Sequence, residues 1–260
     1  MPNSTKLEII QHNQGRLIEV KMNFNSKNTY DLEGLQLILD TLHKIKSMES
    51  IRAMILSSNQ ESYFSNGLEP TLFLDATHKE VHQAVSLLMD ASQAFYFFPY
   101  PTLSLIQGHC MAAGAVFAIF SDYRFMVDKA ARIGFPEVAI GLNFPSFPAK
   151  VLSHIVGHNH ARDLLYSGKL WKADQALASG LIDEIYSKDT IRTKALEFST
   201  KLSNLPLGSA RGIKKSLLDF HRHGIEQLIE WDTNALVETI LSRDGQEGFR
   251  SILESRKPQF

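Results

Sequence analysis

Apolar residues along this chain follow two rhythms. Leu7–Gln11 and Leu17–Met22 alternate apolar with polar positions around Asn13-Gln14-Gly15, which predicts a β-hairpin. Between Asp31 and Met48, Leu35, Leu37, Ile38, Leu42 and Ile45 recur at helical spacing. Ile51–Leu56 is an apolar run of strand length, and Val81–Phe97 is helical until Pro99 and Pro101 stop it. Two further β-like runs, Thr102–Ile106 and Tyr123–Val127, enclose a short apolar helix, roughly Ala115–Phe120. After the interruption Phe144–Pro148, helices are predicted at Ala149–Val156, Ala161–Ser167 and Ala173–Ser179, the last ended by Gly180. Leu181–Tyr186 reads as a strand, and Asn23–Asn28 and Ser57–Glu69 read as loops. From Thr190 onward the pattern is helical only, through Ile191–Leu202, Ala210–Phe220, Ile225–Leu241 and Gln246–Glu254. Alternating strands and helices followed by helices alone predict an α/β fold with a helical C-terminal region. A faint strand–helix recurrence runs through Leu7–Met48, Ile51–Phe97 and Thr102–Phe120.

Composition narrows the function classes. A formal net charge of -1 over 260 residues gives no electrostatic footprint for nucleic acid. One cysteine, Cys110, excludes an internal disulfide framework and a multi-cysteine metal site. No apolar run approaches the ~20 residues that span a bilayer. The opening MPNSTKLEII lacks the charged-then-apolar order of a signal peptide, so the expected location is cytoplasmic.

The candidate chemistry concentrates between Pro101 and Leu142. There a strand passes through the small residues Met111-Ala112-Ala113-Gly114 into a helix. Such a turn brings bare backbone N–H groups to a surface at the positive end of a helix dipole, where an anionic oxygen can be held. A second glycine turn, Ser65-Asn66-Gly67-Leu68, also follows a strand. Taken alone, either turn is explained more readily by the steric need for glycine at a strand–helix junction. Neither is a GxxxxGK[ST] or GxGxxG phosphate fingerprint. Glu137 follows Gly134-Phe135-Pro136 in an apolar setting; it is either a proton-moving group or a helix-start charge. His109 and Cys110 are adjacent on a strand and point to opposite faces, which disfavours a nucleophile–base pair. Ser104, Ser121 and Asp122 form no triad pattern, and His154, His158 and His160 lack a nearby carboxylate cluster. Lys214-Lys215 and Arg256-Lys257 read as solvated charges unless a polyanion lies beside them.

Taken in order, these pieces resemble the crotonase superfamily, the enoyl-CoA hydratases and isomerases. The resemblance runs from Lys6 to Phe260 through Lys27-Asn28, FSNGLE at Phe64–Glu69, PTLSLIQGHCMAAGAVFAIFSDYRF at Pro101–Phe125, IGFPEVAIGL at Ile133–Leu142, ADQALASGLIDEI at Ala173–Ile185 and the C-terminal EGFRSILESRKPQF. It implies a spiral of β-β-α repeats, a core of residues 1–200, and a helical region of residues 201–260 used in assembly. It also implies an acyl-CoA thioester substrate with no separate cofactor and no metal, and a homotrimer or hexamer with no nucleic-acid or membrane partner.

Carried over by motif position, the resemblance makes the amides of Leu68 and Ala113 the oxyanion donors and Glu137 the acid–base. A family hydratase carries a further glutamate three residues after the second donor, where this chain has Val116. A lone glutamate with an apolar partner position resembles the Δ3,Δ2-enoyl-CoA isomerases of fatty acid metabolism. Substrate contacts are expected at Lys27, Asn28, Thr29, Asn66, Gly67, Gly114, Val116, Asn143, Phe144 and Lys257. Hydration, another enolate reaction of the family, or acyl-CoA binding without catalysis are the alternatives.

Overall fold

The computed structural model describes residues 6–129, 131–219, 222 and 224–260. Strand β1 (Leu7–His12) reverses through Asn13, Gln14 and Gly15, all at positive φ, into the antiparallel β2 (Leu17–Met22). Helix α1 (Leu32–Lys46) follows, capped by Asp31, whose Oδ1 accepts the Gly34 N–H at 2.7 Å. The strand–strand–helix unit then recurs. β3 (Ala53–Ser58), β4 (Tyr63–Ser65) and α2 (His78–Tyr96) form the second copy. β5 (Thr102–Ile106), β6 (His109–Met111) and α3 (Ala113–Phe120) form the third. β7 (Tyr123–Val127), β8 (Ile133–Gly134) and α4 (Ser146–Ser167) form the fourth. β9 (Leu170–Trp171), α5 (Ala173–Ala178) and β10 (Glu184–Tyr186) lead into α6 (Ile191–Ser203), α7 (Leu207–Asp219), α8 (Ile225–Leu241) and α9 (Arg243–Leu253).

Two sheets result. The larger runs β1-β2-β3-β5-β7-β10 and is parallel beyond the first hairpin. The smaller runs β4-β6-β8-β9, with only β8 and β9 antiparallel. In the second to fourth copies the first strand enters the large sheet and the second strand enters the small one, so the chain winds as a spiral. β3 and β5 are buried along their whole length, which is why they read as unbroken apolar runs.

Several elements depart from the sequence expectation. β4, β6, β8 and β9 have two or three residues each and carry no readable period; they exist because each pairs with its neighbour in the spiral. The Ser57–Glu69 segment, expected to be loop, contains the end of β3 and all of β4. The strand expected at Leu181–Tyr186 begins only at Glu184, because the N–H groups of Leu181 and Ile182 both donate to Ala176 O at the end of α5. α3 starts at Ala113, two residues early. The helices expected at Ala149–Val156 and Ala161–Ser167 are one span broken at Gly157 (φ 76°, ψ 155°). α7 begins already at Leu207; the expected helix end at Phe220, like the opening Met1–Thr5, lies outside the described residues.

Buried ion pairs fasten the late helices to the sheet. Glu19, on β2, accepts from Ser57, from both terminal nitrogens of Arg192 on α6 (2.9 and 2.7 Å), and sits 3.2 Å from His12 Nε2. Burial pushes its pKa up, but these partners outweigh burial and hold it below the ordinary carboxylate value. Lys214, expected to be a solvated charge, is instead the one buried side chain among the described residues of α7. Its ammonium donates to Asp122 Oδ2 at 2.7 Å and to Tyr100 O at 2.9 Å.

Asp122→Ala therefore leaves a buried ammonium without its counter-ion. A loss of about 3 kcal/mol of unfolding free energy is expected, read by urea titration. A loss below about 1 kcal/mol would mean that Lys214 can leave its burial site freely.

Candidate active site

Two backbone segments meet at one place. In the first, Asn66 N–H donates to Lys27 O (3.1 Å) and Gly67 N–H donates to Ser65 Oγ (3.1 Å). Tyr30 then pairs across Leu68: its N–H donates to Gly67 O (2.8 Å), and its carbonyl accepts from Glu69 N–H (3.0 Å). In a parallel bridge of this kind the spanned residue turns its own N–H and C=O to the opposite edge. The Leu68 amide therefore points away from Tyr30, and Leu68 lines a cavity.

In the second segment, Ala112 donates to Gly134 O (3.1 Å) and has φ 51°, ψ −129°. That conformation is costly for a residue with a Cβ. It launches α3 directly after a strand, so Ala113 is the first helical residue and its N–H has no intrahelical acceptor. Among the described residues neither the Leu68 nor the Ala113 amide donates to another backbone group.

Glycine permits the approach of these segments. A Cβ on Gly67 (φ 84°) would lie 2.9 Å from Ala112 Cβ and 3.2 Å from Ala113 N. A Cβ on Gly114 would lie 2.7 Å from Ser65 O. Gly67 and Gly114 thus act through the space they leave, and neither lines the cavity.

The cavity has a volume of about 300 Å³. Glu137, Leu68, Ala113 and Val116 line it together, as do Asn66, Asn143 and Phe144. Leu88 and Met89 of α2, Ile240 of α8, and Phe249 and Ile252 of α9 are among its apolar walls. Glu137 opens the short 3₁₀ turn Glu137–Ile140, and its carbonyl accepts from Leu142 N–H at 3.0 Å. Its Oε2 is buried with no hydrogen-bond partner. Burial pushes the carboxyl pKa up to about 7, with its own backbone N–H opposing. Among the described residues that line the cavity, Glu137 is the one ionisable side chain. Asn143 is steadied by Thr239 of α8, whose Oγ1 lies 2.9 Å from Asn143 Oδ1, and Phe144 packs edge-on against Phe135.

Other expected contacts lie elsewhere. Asn28 (φ 48°) is fully buried, accepting from Phe24 N–H and donating to Met22 O, Ser58 Oγ and Phe64 O. Thr29 is buried too, and its hydroxyl donates to Glu69 Oε2 at 2.5 Å. Both side chains hold the loop that carries the exposed Lys27. Lys257 is exposed near the chain end and does not line the cavity; its neighbour Arg256 pairs with Glu247 and Glu254. Cys110 is fully buried and burial pushes its thiol pKa well up, which removes it as a nucleophile. Among the described residues no group of His, Cys, Asp and Glu could hold a metal ion, and no helix is long and apolar enough to cross a membrane.

Sequence reasoning missed the cavity walls contributed by α2, α8 and α9. Their signal was present. Val81, Val85 and Met89 share a face of α2 and pack with Phe73, Leu236, Ile240 and Phe249 into a second apolar cluster apart from the main core.

Comparison with known proteins identifies relatives of this chain. The family profile described as Enoyl-CoA hydratase/isomerase matches residues 12–260. An Arabidopsis thaliana protein named Enoyl-CoA delta isomerase 3 is 29% identical over 174 residues, 65% of this chain and 73% of that protein. A Thermus thermophilus protein named as a putative enoyl-CoA hydratase is 27% identical over 97% of this chain and 100% of its own length. The crystal structure of human mitochondrial delta3-delta2-enoyl-CoA isomerase superposes with a TM-score of 0.92 at 22% identity, covering 96% of this chain and 98% of that one. At that identity the superposition establishes the shared fold.

Backbone strain at the amide pair is open to measurement. Ala112→Gly is expected to stabilise the chain by about 1 kcal/mol, and Gly67→Ala to destabilise it by about 1–3 kcal/mol, both read by urea unfolding. Ala112→Gly destabilising the fold would contradict the strain assigned to that turn.

Proposed function

The chain belongs to the enoyl-CoA hydratase/isomerase family, a member of the crotonase superfamily, and on that premise we propose that it is an enoyl-CoA isomerase. It moves the double bond of a 3-enoyl-CoA thioester to the 2-position. The thioester oxygen accepts from Leu68 and Ala113 N–H. Glu137 in its carboxylate form takes a proton from C2. The electron pair delocalises over the dienolate, whose oxygen is held by the two amides, and the Glu137 acid returns its proton at C4. Removing one such amide donor typically costs about 100- to 1000-fold in rate.

One observation carries the choice of isomerisation over hydration: among the described residues Glu137 has no ionisable companion on the cavity wall. Addition of water needs groups that orient the water and deliver its proton. Val116, one turn along α3 from Ala113, offers neither. A 1,3-proton shift needs only one shuttle. Raised to about 7, the Glu137 pKa lies between base and acid duty, which a residue that must both take and return a proton requires.

Around this centre, the exposed Lys27 and the neighbouring Asn66 receive the nucleotide end of CoA, and Lys257 reaches a CoA phosphate in an assembled oligomer. Asn143 and Phe144 border the acyl chain. Exposed apolar side chains on α7 and α8, Ile213, Leu217 and Trp231, supply surface for trimer or hexamer contacts between copies of the chain.

Glu137→Gln should lower conversion of trans-3-enoyl-CoA to 2-enoyl-CoA by about 100- to 10,000-fold while leaving binding of the ester intact; wild-type turnover would end the assignment. Because the reaction starts from the carboxylate, kcat/KM is expected to rise with pH and level off, with a midpoint of about 7. A profile flat from pH 5 to 8 would contradict the role. Wild-type protein hydrating crotonyl-CoA faster than it isomerises a 3-enoyl-CoA would favour the hydratase reading.

A further inference from the structure

Helix α9 touches both halves of the site from outside. Its residue Gln246 spends its whole carboxamide on three backbone groups. Nε2 donates to Phe73 O at 3.0 Å and to Ile240 O at 2.9 Å, and Oε1 accepts from Asp75 N–H at 2.9 Å. Both N–H bonds are used, on carbonyls from two different elements. Phe73 and Asp75 belong to the turn that leads directly from Leu68 and Glu69 through the 3₁₀ segment Pro70–Leu72. Phe249, one turn further along α9, stacks on Phe73 with ring centroids 5.1 Å apart.

The opposite side of α9 lies on the Glu137 segment. A Cβ on Gly248 would lie 2.0 Å from Ile140 O, and a Cβ on Gly141 would lie 2.7 Å from the Asp244 carbonyl carbon. Backbone meets backbone there, with only the β-carbons of Ile140 and Asp244 beside the contact. Ile140 closes the same short turn that Glu137 opens, so a shift of α9 is passed on to the carboxyl group through a few rigid peptides.

We propose that α9 is the gauge that sets the separation between the Leu68 amide and the Glu137 carboxyl group and keeps water from that carboxyl, with Gln246 as the positioning residue that locks it. The inference rests on the roles given above to Leu68 and Glu137. Gln246 does not line the cavity and touches no substrate; it acts through the 70–76 turn and the end of α8. Of the ionisable groups on the helices beside the Glu137 segment, α9 carries Arg243, Asp244, Glu247 and Arg250, and α4 carries Lys150, His154, His158, His160, Arg162 and Asp163; none of these lines the cavity. Glu247 is engaged by Arg256, Arg250 lies 3.5 Å from Asp75, and Arg162 and Asp163 pair with each other. Water admitted past α9 is then the main new influence on the Glu137 carboxyl when Gln246 is lost.

The test uses the full chain carrying Gln246→Met, close in size but unable to make the three bonds, with Arg243→Ala at the exposed start of α9 as control. For Gln246→Met, kcat on trans-3-enoyl-CoA should fall about 10- to 100-fold, as for displacement of a catalytic group by about 1 Å, with KM changed less than about threefold. The Glu137 titration midpoint, followed by carboxyl ¹³C NMR, should move down from about 7 toward the ordinary carboxylate range as water enters. Arg243→Ala should leave both unchanged. Wild-type kcat in folded Gln246→Met protein overturns the proposal. So does a loss that matches the unfolded fraction while the midpoint stays put. If Gln246→Met does not fold, Gln246→Asn, which withdraws the same amide by one methylene, is read by the same two measurements. The NMR midpoint needs no turnover, so a wild-type chain that isomerises nothing would end the functional reading and still leave the gauge to be judged.

Discussion

A main-chain amide can be aimed only by pinning the peptides on either side of it, and much of this fold serves that constraint. The Leu68 amide is turned away from Tyr30 because Tyr30 takes the carbonyl before it and the N–H after it, and Leu68 lines the cavity. Ala113, which lines the same cavity, opens α3 with no intrahelical acceptor for its N–H because Ala112 is held in a costly conformation between Gly134 O and the first turn of α3. Neither arrangement survives separately. Gly67 must lack a Cβ for Ala112 and Ala113 to approach, and Gly114 must lack one for α3 to rest on Ser65. The spiral of repeats brings this about: β4 and β6 are paired neighbours in the small sheet, so the turns that leave them are neighbours too.

The second requirement is a dry carboxyl group, and it is met by different parts of the chain. Glu137 comes from the fourth repeat, and α2, α8 and α9, outside that repeat, add apolar walls to its cavity. Buried, and with Oε2 unpartnered among the described residues, the charged form loses more solvation than its own backbone N–H restores, and the pKa rises. The sign of the linkage follows. Between the ordinary carboxylate value and about 7 the folded state holds a proton that the unfolded state releases, so Glu137 makes the fold less stable as pH rises through that window. The fold thus gives up some stability for a group able to give and take a proton near neutrality.

These two requirements were unequally legible in the sequence. Residues of the amide turns could be located, because Gly67, Ala113 and Gly114 sit at strand–helix junctions where small residues stand out. The long strands and amphipathic helices were legible from their periods. The small sheet was not, since strands of two or three residues are defined by their partners rather than by any pattern of their own. The lining of the cavity was equally hidden: Met89, Ile240 and Phe249 look like ordinary helix-face residues until the helices are packed. Lys214 misled for the converse reason. A lysine on a polar helix reads as solvated, and only the tertiary position of Asp122 and Tyr100 makes burial tolerable. Asn28 shows the same effect, a polar residue in a polar loop whose side chain is wholly consumed inside the fold.

What separates related reactions on such a scaffold is then a small matter of which wall positions are polar. On the function proposed above, the amide pair serves hydration and isomerisation alike, so the choice between them falls to the groups placed around C2 to C4. Val116 faces the cavity from α3, one turn beyond the donor Ala113, and a valine there gives a water molecule no partner. Asn143, which lines the same cavity, accepts from Thr239, which ties this polar loop residue to the C-terminal helices. On the proposed reading, an enolate in this cavity meets one ionisable side chain and walls that are apolar except at Asn66, Ser92 and Asn143, and return of the proton at the far end of the conjugated system is the outcome with the fewest requirements on the protein.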